Sequence, residues 1–243
     1  MNINSFKENI EQLSSINNIN FTDEQMCKLY KYMNLLIEWN KNVNLTAITE
    51  ENEVILKHFI DSAIVNKYLD NYKTLIDVGT GAGFPGLVLK IMNEQLNITL
   101  LDALNKRISF LNKVIEENNL NNIVALHGRA EEFGKDINYR EKYDVVVSRA
   151  VANMNVLLEY MMPLVKVGGI CVCMKSVNAE EELENSKNVI NILGGVLEKI
   201  DKVYLKDNDN NILERDIIII RKKSSTELIY PRNSNKINKK PLI

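Results

Sequence analysis

The sequence has few residues of the types that build metal sites and disulfide frameworks. Its 243 residues include three cysteines, Cys27, Cys171 and Cys173, and two histidines, His58 and His127. The cysteines have neither the paired spacing of a metal site nor the number that a disulfide framework needs, and the histidines lie far apart in the chain. We therefore predict no metal, and a reducing compartment in which Cys171 and Cys173 act as small apolar groups.

Strong net charge and long apolar runs are also missing. The formal net charge is −2, which gives no overall signature of a nucleic-acid partner. No apolar run approaches the length of a membrane span, and the polar first 20 residues do not resemble a signal peptide. We therefore predict a cytoplasmic protein without membrane contact. Basic residues are concentrated at the end of the chain, where residues 221–243 contain seven basic residues and one acidic residue.

Glycine is sparse, with ten residues in all, yet four of them fall within residues 79–86. The preceding segment, Thr74–Val78, is predicted to be a strand, and Pro85 is predicted to open a helix. The turn lacks the Lys-Ser or Lys-Thr pair of a phosphate-binding loop, although it formally matches a dinucleotide fingerprint. Asp77, two residues before Gly79, would repel a pyrophosphate and attract an amine such as that of S-adenosylmethionine (SAM). An alternative is a tight turn without a ligand.

From Thr74 onward, strand patterns alternate with helical patterns, which is typical of a doubly wound α/β sheet. We predict a seven-stranded, mostly parallel sheet of the Rossmann-like, class I SAM-dependent methyltransferase type, whose last two strands are antiparallel across the turn at 207–211. Residues 1–70 form an N-terminal helical extension, 71–223 the core and 224–243 a basic tail that is extended or loosely ordered. The predicted strands are Thr74–Val78, Ile98–Leu101, Ile123–Leu126, Tyr143–Val147, Ile170–Met174, Val196–Leu205 and Asp216–Ile220.

Within the extension, Thr22 and Gln25 form a capping-box pattern at the start of a helix that should run to about Asn40. Thr49 is the predicted cap of a further helix. The next helix should span roughly residues 58–69. In the core, helices are expected over Pro85–Asn93, Lys106–Asn118, Val156–Val165 and Ala179–Leu193.

Ligands of such a sheet bind at the carboxyl ends of its strands, where the candidate site residues lie. The glycine turn, with Gly79 and Gly81, would place its bare backbone against the cofactor. Asp102 would accept both ribose hydroxyls, or else cap the following helix, and both roles could hold. Ala130 and Glu131 would read an adenine edge, or else belong to a solvated acidic face. Arg149 would pair with Asp77 or contact the methyl acceptor, or else be an ordinary surface arginine. His58, Asp61 and Ser62 are polar residues that either line the site or are simply solvated.

Taken together, several short motifs make the chain similar to a known family. The sequence resembles the bacterial small-subunit ribosomal RNA (guanine-N7)-methyltransferases, also called glucose-inhibited division protein B. This resemblance implies a SAM-dependent enzyme that methylates N7 of one guanosine in 16S ribosomal RNA, with SAM contacts at Gly79, Phe84, Ala130, Glu131 and Arg149. Ser176 and Asn233–Asn235 depart from the family, which commonly has glycine there. The motifs are Trp39-Asn40 with Asn44-Leu45-Thr46, His58 with Asp61-Ser62, Asp77 through Gly86, Gly128-Arg129-Ala130-Glu131-Glu132, Ser148-Arg149-Ala150-Val151-Ala152, Tyr230-Pro231-Arg232 and Lys239-Lys240-Pro241-Leu242.

Guanine N7 carries a free lone pair, so direct in-line transfer needs no general base, and we assign no catalytic residue beyond a positioning role for Arg149. RNA would be held through phosphates and by base stacking. The partner is 16S ribosomal RNA or the small ribosomal subunit, and the protein is predicted to be a monomer. Alternatives are a SAM-dependent methyltransferase with another acceptor, a SAM-binding regulatory module without turnover, and an NAD-dependent oxidoreductase, which Asp77 disfavours. The predicted RNA contacts are Lys175, Tyr230, Arg232, Lys239 and Lys240.

Overall fold

The computed structural model describes residues 1–149, 152–176 and 179–243. A seven-stranded sheet lies at its centre, in the order β3-β2-β1-β4-β5-β7-β6. β7 is antiparallel to both of its neighbours, and the other neighbouring pairs are parallel. The predicted sheet type, strand number and final antiparallel pair are therefore confirmed. The strands are β1 Thr74–Val78, β2 Asn97–Asp102, β3 Ile123–His127, β4 Tyr143–Arg149, β5 Val165–Lys175, β6 Gly195–Lys206 and β7 Ile212–Lys222.

Strand β5 begins earlier than the sequence predicted. The predicted strand starts at Ile170, but Gly168 and Gly169 also lie within β5. Tyr143 pairs with Val165 and Val145 pairs with Ile170, so the register shifts there as it does at a bulge. The glycine pair therefore bends the strand without ending it.

Apolar side chains alternate between the two faces of the sheet. Leu75 and Val145 belong to one buried cluster, while Ile76 and Val146 belong to the other. The first cluster holds the N-terminal helices and the second holds the helices that follow β4 and β5. The N-terminal extension thus shares a buried apolar cluster with one face of the sheet. The helices are α1 Ile3–Ile16, α2 Asp23–Val43, α3 Glu51–Val54, α4 Asp61–Ala63, α5 Gly86–Met92, α6 Asn105–Glu117, α7 Ala130–Phe133, α8 Met154–Met161, α9 Ala179–Glu184, α10 Lys187–Ile192 and α11 Ser234–Lys239.

The Thr22–Gln25 capping box is present at the start of α2, and α2 continues to Val43, three residues past the predicted end. Glu50, not Thr49, caps α3. The helix predicted over residues 58–69 is irregular, because a π-helical segment, Ile55–Ile60, precedes α4 and a 3₁₀ segment, Ile64–Tyr68, follows it. The long helix predicted over Ala179–Leu193 is divided into α9 and α10. The Ser186 hydroxyl at this division bonds to Asn155 and to the carbonyl of Glu182.

The tail is ordered, contrary to the loose conformation that its polar composition suggested. Ile237 of α11 is fully buried. The guanidinium and the amide of Arg232 donate to the carboxylate of Glu159, which is fully buried on α8. These contacts fix the tail against the α8 side of the core. Within the described ranges, no helix is both long and apolar enough to span a membrane.

Candidate functional site

The glycine turn after β1 has a conformation that side chains would hinder. Gly79, Gly81 and Gly83 have φ angles of 70°, 62° and 101°, which L side chains adopt rarely. Gly86, the first residue of α5, packs so closely that an added Cβ would lie 2.3 Å from Leu100 Cδ2. The turn therefore leaves bare backbone at the carboxyl end of β1, as the sequence predicted.

A cavity of about 360 Å³ opens between this turn and the N-terminal segment. The turn and Phe84 line it together with Leu45, Thr46 and His58, and the His58 ring stacks on Phe84. Arg107 and Arg149 line its remaining sides. The cavity thus combines the sheet core with residues of the helical extension. Of the predicted cofactor residues, the walls include Gly79, Gly81, Phe84 and Arg149.

Asp77 lies inside the turn and is fully buried. Its Oδ2 accepts from the Thr80 hydroxyl at 2.7 Å and from the Gly86 amide at 2.8 Å, which ties β1 to the start of α5. Burial raises the pKa of this carboxyl to about 6. Its Oδ1 is buried and has no hydrogen-bond partner among the described residues. One strong acceptor is thus left without a partner, but Asp77 does not line the cavity, so the amine contact stays a prediction.

Asp102 is also buried and already has protein donors. Its Oδ2 accepts from the Gly81 amide at 2.9 Å and from Arg107 at 3.1 Å, and its Oδ1 accepts from the Leu104 amide at 3.0 Å, just before α6. The Gly81 contact joins the carboxyl ends of β1 and β2. Arg107 lies in the first turn of α6 and was not singled out from the sequence. The signal that could have identified it is a basic residue five positions after the carboxylate at the end of β2.

Ala130 and Glu131 begin α7, after the carboxyl end of β3. The Gly128 amide donates to the Asp102 carbonyl at 3.1 Å, so this loop lies beside the end of β2. Glu131 is only 9% exposed. The topology thereby brings the predicted ribose and adenine residues to adjacent strand ends.

Arg149, at the end of β4, is held by four kinds of contact. Its Nη1 donates to Asp61 Oδ2 and to the Lys57 carbonyl, both at 3.0 Å, and its Nη2 donates to His58 Nδ1 at 3.1 Å. Its guanidinium lies 5.0 Å from the centre of the Phe84 ring. Asp61 is 2% exposed and accepts from Arg215 Nε at 2.9 Å as well. Asp61, and not Asp77, is therefore the ion-pair partner, and Arg215 is a second residue that the sequence analysis missed.

His58 stacks on Phe84, with ring centres 4.4 Å apart and planes inclined by 18°. Burial and the Arg149 charge lower the pKa of this histidine to about 3, so the ring is neutral at pH 7. Nδ1 lies 3.1 Å from both Arg149 Nη2 and the Lys57 carbonyl, and that carbonyl already accepts from Arg149 Nη1. Because arginine only donates, we assign Nδ1 as the acceptor and place the ring proton on Nε2. His58 Nε2 then donates to Thr46 Oγ1 at 2.9 Å.

The predicted RNA contacts lie in different surroundings. Lys239 and Lys240 are exposed, and Tyr230 is half-buried. Arg232 is bound to Glu159, and Lys175 donates to the Ala152 carbonyl at 2.6 Å and pairs with Glu182 at 2.8 Å. Ala150 and Val151 of the predicted Ser148–Ala152 motif lie outside the described residues. Across the ranges that the structure covers, no cluster of three or more His, Cys, Asp or Glu side chains is arranged to hold a metal ion.

Sheet order, turn and cavity together define a class I, SAM-dependent methyltransferase. A SAM-dependent methyltransferase from Methanosarcina mazei has the same fold, with a TM-score of 0.51 and 13% identity over 68% of this chain and 98% of that one. The family model described as rRNA small subunit methyltransferase G matches residues 25–213, and the chain belongs to that family. Proteins named ribosomal RNA small subunit methyltransferase G are similar to this chain over more than nine tenths of its length. The one from Clostridium botulinum is 48% identical over 93% of this chain and 94% of its own length, and the one from Acetivibrio thermocellus is 50% identical over 92% and 91%.

Proposed function

We propose that this protein transfers a methyl group from SAM to N7 of a guanosine in the 16S ribosomal RNA of the small ribosomal subunit. The observation that supports this proposal most directly is the cavity lined by the glycine turn, Thr46, His58 and Arg149. It occurs in a chain that belongs to the rRNA small subunit methyltransferase G family. We further propose that it acts in the cytoplasm as a monomer.

The cofactor would be held by residues at the ends of β1–β4. Asp77 Oδ1 would accept from the amine, the turn amides and Phe84 would meet the methionyl arm, and Asp102 would hold the ribose together with Arg107. Ala130 and Glu131 would contact the adenine, and Arg149 would close the site at the end of β4. When bound, SAM supplies a sulfonium-activated methyl group.

The protein's own contribution is positioning, because N7 attacks with a lone pair that no proton blocks. His58 is poorly suited to be a base, since both of its ring nitrogens are hydrogen bonded and its pKa is about 3. The guanine ring gains positive charge as the methyl group transfers. Asp61 pairs with both Arg149 and Arg215, so it offsets one of their two positive charges and reduces the electrostatic cost of that step.

Lys239, Lys240 and Tyr230 are the proposed tail contacts with RNA, because they lie on the ordered tail and are not fully buried. Lys175 and Arg232 were also predicted to bind RNA, and we now propose that they act indirectly, since each is already bound to an acidic side chain.

The test is methyl transfer from labelled SAM to a panel of acceptors: small ribosomal subunits, their free RNA and total cellular protein. We expect label in the particle or its RNA. Label in protein alone would indicate a different acceptor, and binding of SAM without any transfer would indicate a regulatory module. Binding of NAD but not of S-adenosylhomocysteine would overturn the cofactor assignment.

A further inference from the structure

The orientation of the Thr46 hydroxyl is determined by its neighbours. Thr46 Oγ1 accepts from His58 Nε2–H at 2.9 Å and from the Ile48 amide at 3.1 Å. A hydroxyl oxygen has two acceptor positions and one proton to donate. With the His58 proton assigned to Nε2, both acceptor positions are filled from the protein side, so the hydroxyl proton is available to a ligand in the cavity that Thr46 lines.

The segment that carries Thr46 is fixed in place. The Asn40 side chain accepts from the amides of Leu45 and Thr46, at 2.6 and 2.9 Å, and donates to the Thr46 carbonyl at 2.9 Å. On the other side, His58 is held by Arg149, which is held in turn by Asp61. A neutral donor is thus preorganised in the cavity that the glycine turn also lines.

The chemistry of the methyl-accepting base indicates which of its atoms the Thr46 hydroxyl would contact. N7 must stay free to accept the methyl group, so a donor cannot occupy it. Next to N7, guanine has the O6 acceptor, whereas adenine has an amino donor. A donor at this place therefore distinguishes the two purines. A neutral hydroxyl is a better donor to this ring than a cation, because the ring becomes positively charged as the methyl group is transferred.

We propose that the Thr46 hydroxyl donates to O6 of the target guanine and is a specificity-determining residue. This inference rests on the proposed function. The same geometry would let the hydroxyl donate to the carboxylate of SAM, so the experiment must separate an acceptor on the base from one on the cofactor.

The experiment compares two variants. Thr46→Val removes the donor at nearly constant shape, together with the acceptor for His58 Nε2–H and the Ile48 amide, whereas Thr46→Ser keeps all three contacts. Thr49→Val is the matched control, since Thr49 is an exposed residue of the same segment. Steady-state methylation of small ribosomal subunits and calorimetry with S-adenosylhomocysteine are measured for all three variants and the wild type.

We expect kcat/KM for RNA to fall roughly tenfold in Thr46→Val, as for loss of one hydrogen bond, and to stay near wild type in Thr46→Ser and Thr49→Val. S-adenosylhomocysteine affinity should be unchanged in all three, which also shows that they fold. Unchanged methylation in Thr46→Val would overturn the proposal, as would an equal loss in Thr46→Ser. An equal loss of cofactor affinity would assign the hydroxyl to SAM instead. A wild-type protein that forms no 7-methylguanosine would overturn the proposed function itself.

Discussion

At the scale of single residues, the site is organised by buried charges whose partners lie far apart in the chain. Arg149 reaches the Lys57 carbonyl, His58 and Asp61, so one guanidinium links the end of β4 to the π-helical segment and α4. The sequence placed Arg149 at a strand end correctly but offered Asp77 as its partner. Strand-end positions follow from local pattern, whereas the choice between two carboxylates depends on packing between distant segments.

Replacing Arg149 tests its role in the site. In Arg149→Ala, Asp61 keeps a single arginine and His58 Nδ1 loses its donor. Hydrogen bonds to charged groups contribute about 1.5–3 kcal/mol each, so we expect S-adenosylhomocysteine affinity and turnover each to fall at least about tenfold. Calorimetry and steady-state kinetics measure the two losses, with Lys142→Ala, at an exposed basic residue just before β4, as the control. If both quantities keep their wild-type values, the assignment is wrong.

Asp77 gives a pH dependence with a definite sign. Its folded pKa, about 6, lies above the unfolded value near 3.8, so the folded state binds the proton more tightly. The free energy of unfolding should therefore decrease as pH rises from 4 to 6, by about 2 kcal/mol from this group. Asp77→Asn keeps an acceptor for Thr80 and Gly86 and should flatten this slope while weakening S-adenosylhomocysteine binding.

Urea unfolding of the protein without cofactor at several pH values, for the wild type and Asp77→Asn, measures this effect. At pH 7 the variant should be at least as stable as the wild type. A slope between pH 4 and 6 that is identical in both proteins would show that Asp77 does not titrate in this range.

At the scale of elements, periodicity predicted the regular strands and helices well and the irregular ones poorly. The strands of the sheet are apolar runs whose pattern is local. The segment from Glu51 to Tyr68 passes through α, π and 3₁₀ geometry, which apolar spacing does not distinguish. The order of the tail depends on the pairing of Arg232 with Glu159, 73 positions away, and on the burial of Ile237, so local composition gave no sign of it.

The tail's anchor is expected to stabilise the fold. Arg232→Ala leaves the fully buried Glu159 carboxylate without its ionic partner, which costs about 3–5 kcal/mol in comparable buried pairs. The free energy of unfolding in urea should fall by that order, and adding Glu159→Gln should recover part of the loss. Lys236→Ala, at an exposed position of α11, is the control. Full stability in Arg232→Ala combined with weaker RNA binding would instead return Arg232 to the RNA contacts.

At the scale of the whole molecule, the helical extension and the tail are both packed on the methyltransferase core. The extension supplies Leu45, Thr46 and His58 to the cavity, and the tail presents Lys239 and Lys240 at the surface. The fold type followed from the sequence, and four predicted cofactor residues line the cavity: Gly79, Gly81, Phe84 and Arg149. Of the residues that the extension supplies, His58 was one of two readings, whereas Leu45 and Thr46 were not placed at the site, because they reach it only through tertiary packing.

The exposed tail lysines should contribute to RNA binding through phosphates. In the Lys239→Ala/Lys240→Ala variant we expect weaker binding to small-subunit RNA and a salt dependence of log K smaller by about 1.4–1.8, since each lost phosphate contact contributes about 0.7–0.9. S-adenosylhomocysteine affinity should not change. Lys31→Ala/Lys142→Ala, which removes two exposed lysines outside the tail, is the control. Equal affinity and equal salt dependence in both double variants would exclude the tail from RNA binding.

Nucleoside mass spectrometry tests the central claim most directly. Small ribosomal subunits that lack the modification are incubated with the purified protein and methyl-labelled SAM, and their RNA is digested to nucleosides. The account predicts labelled 7-methylguanosine at about one per particle. Label in any other nucleoside, or RNA that stays unlabelled while the protein binds S-adenosylhomocysteine, would contradict it.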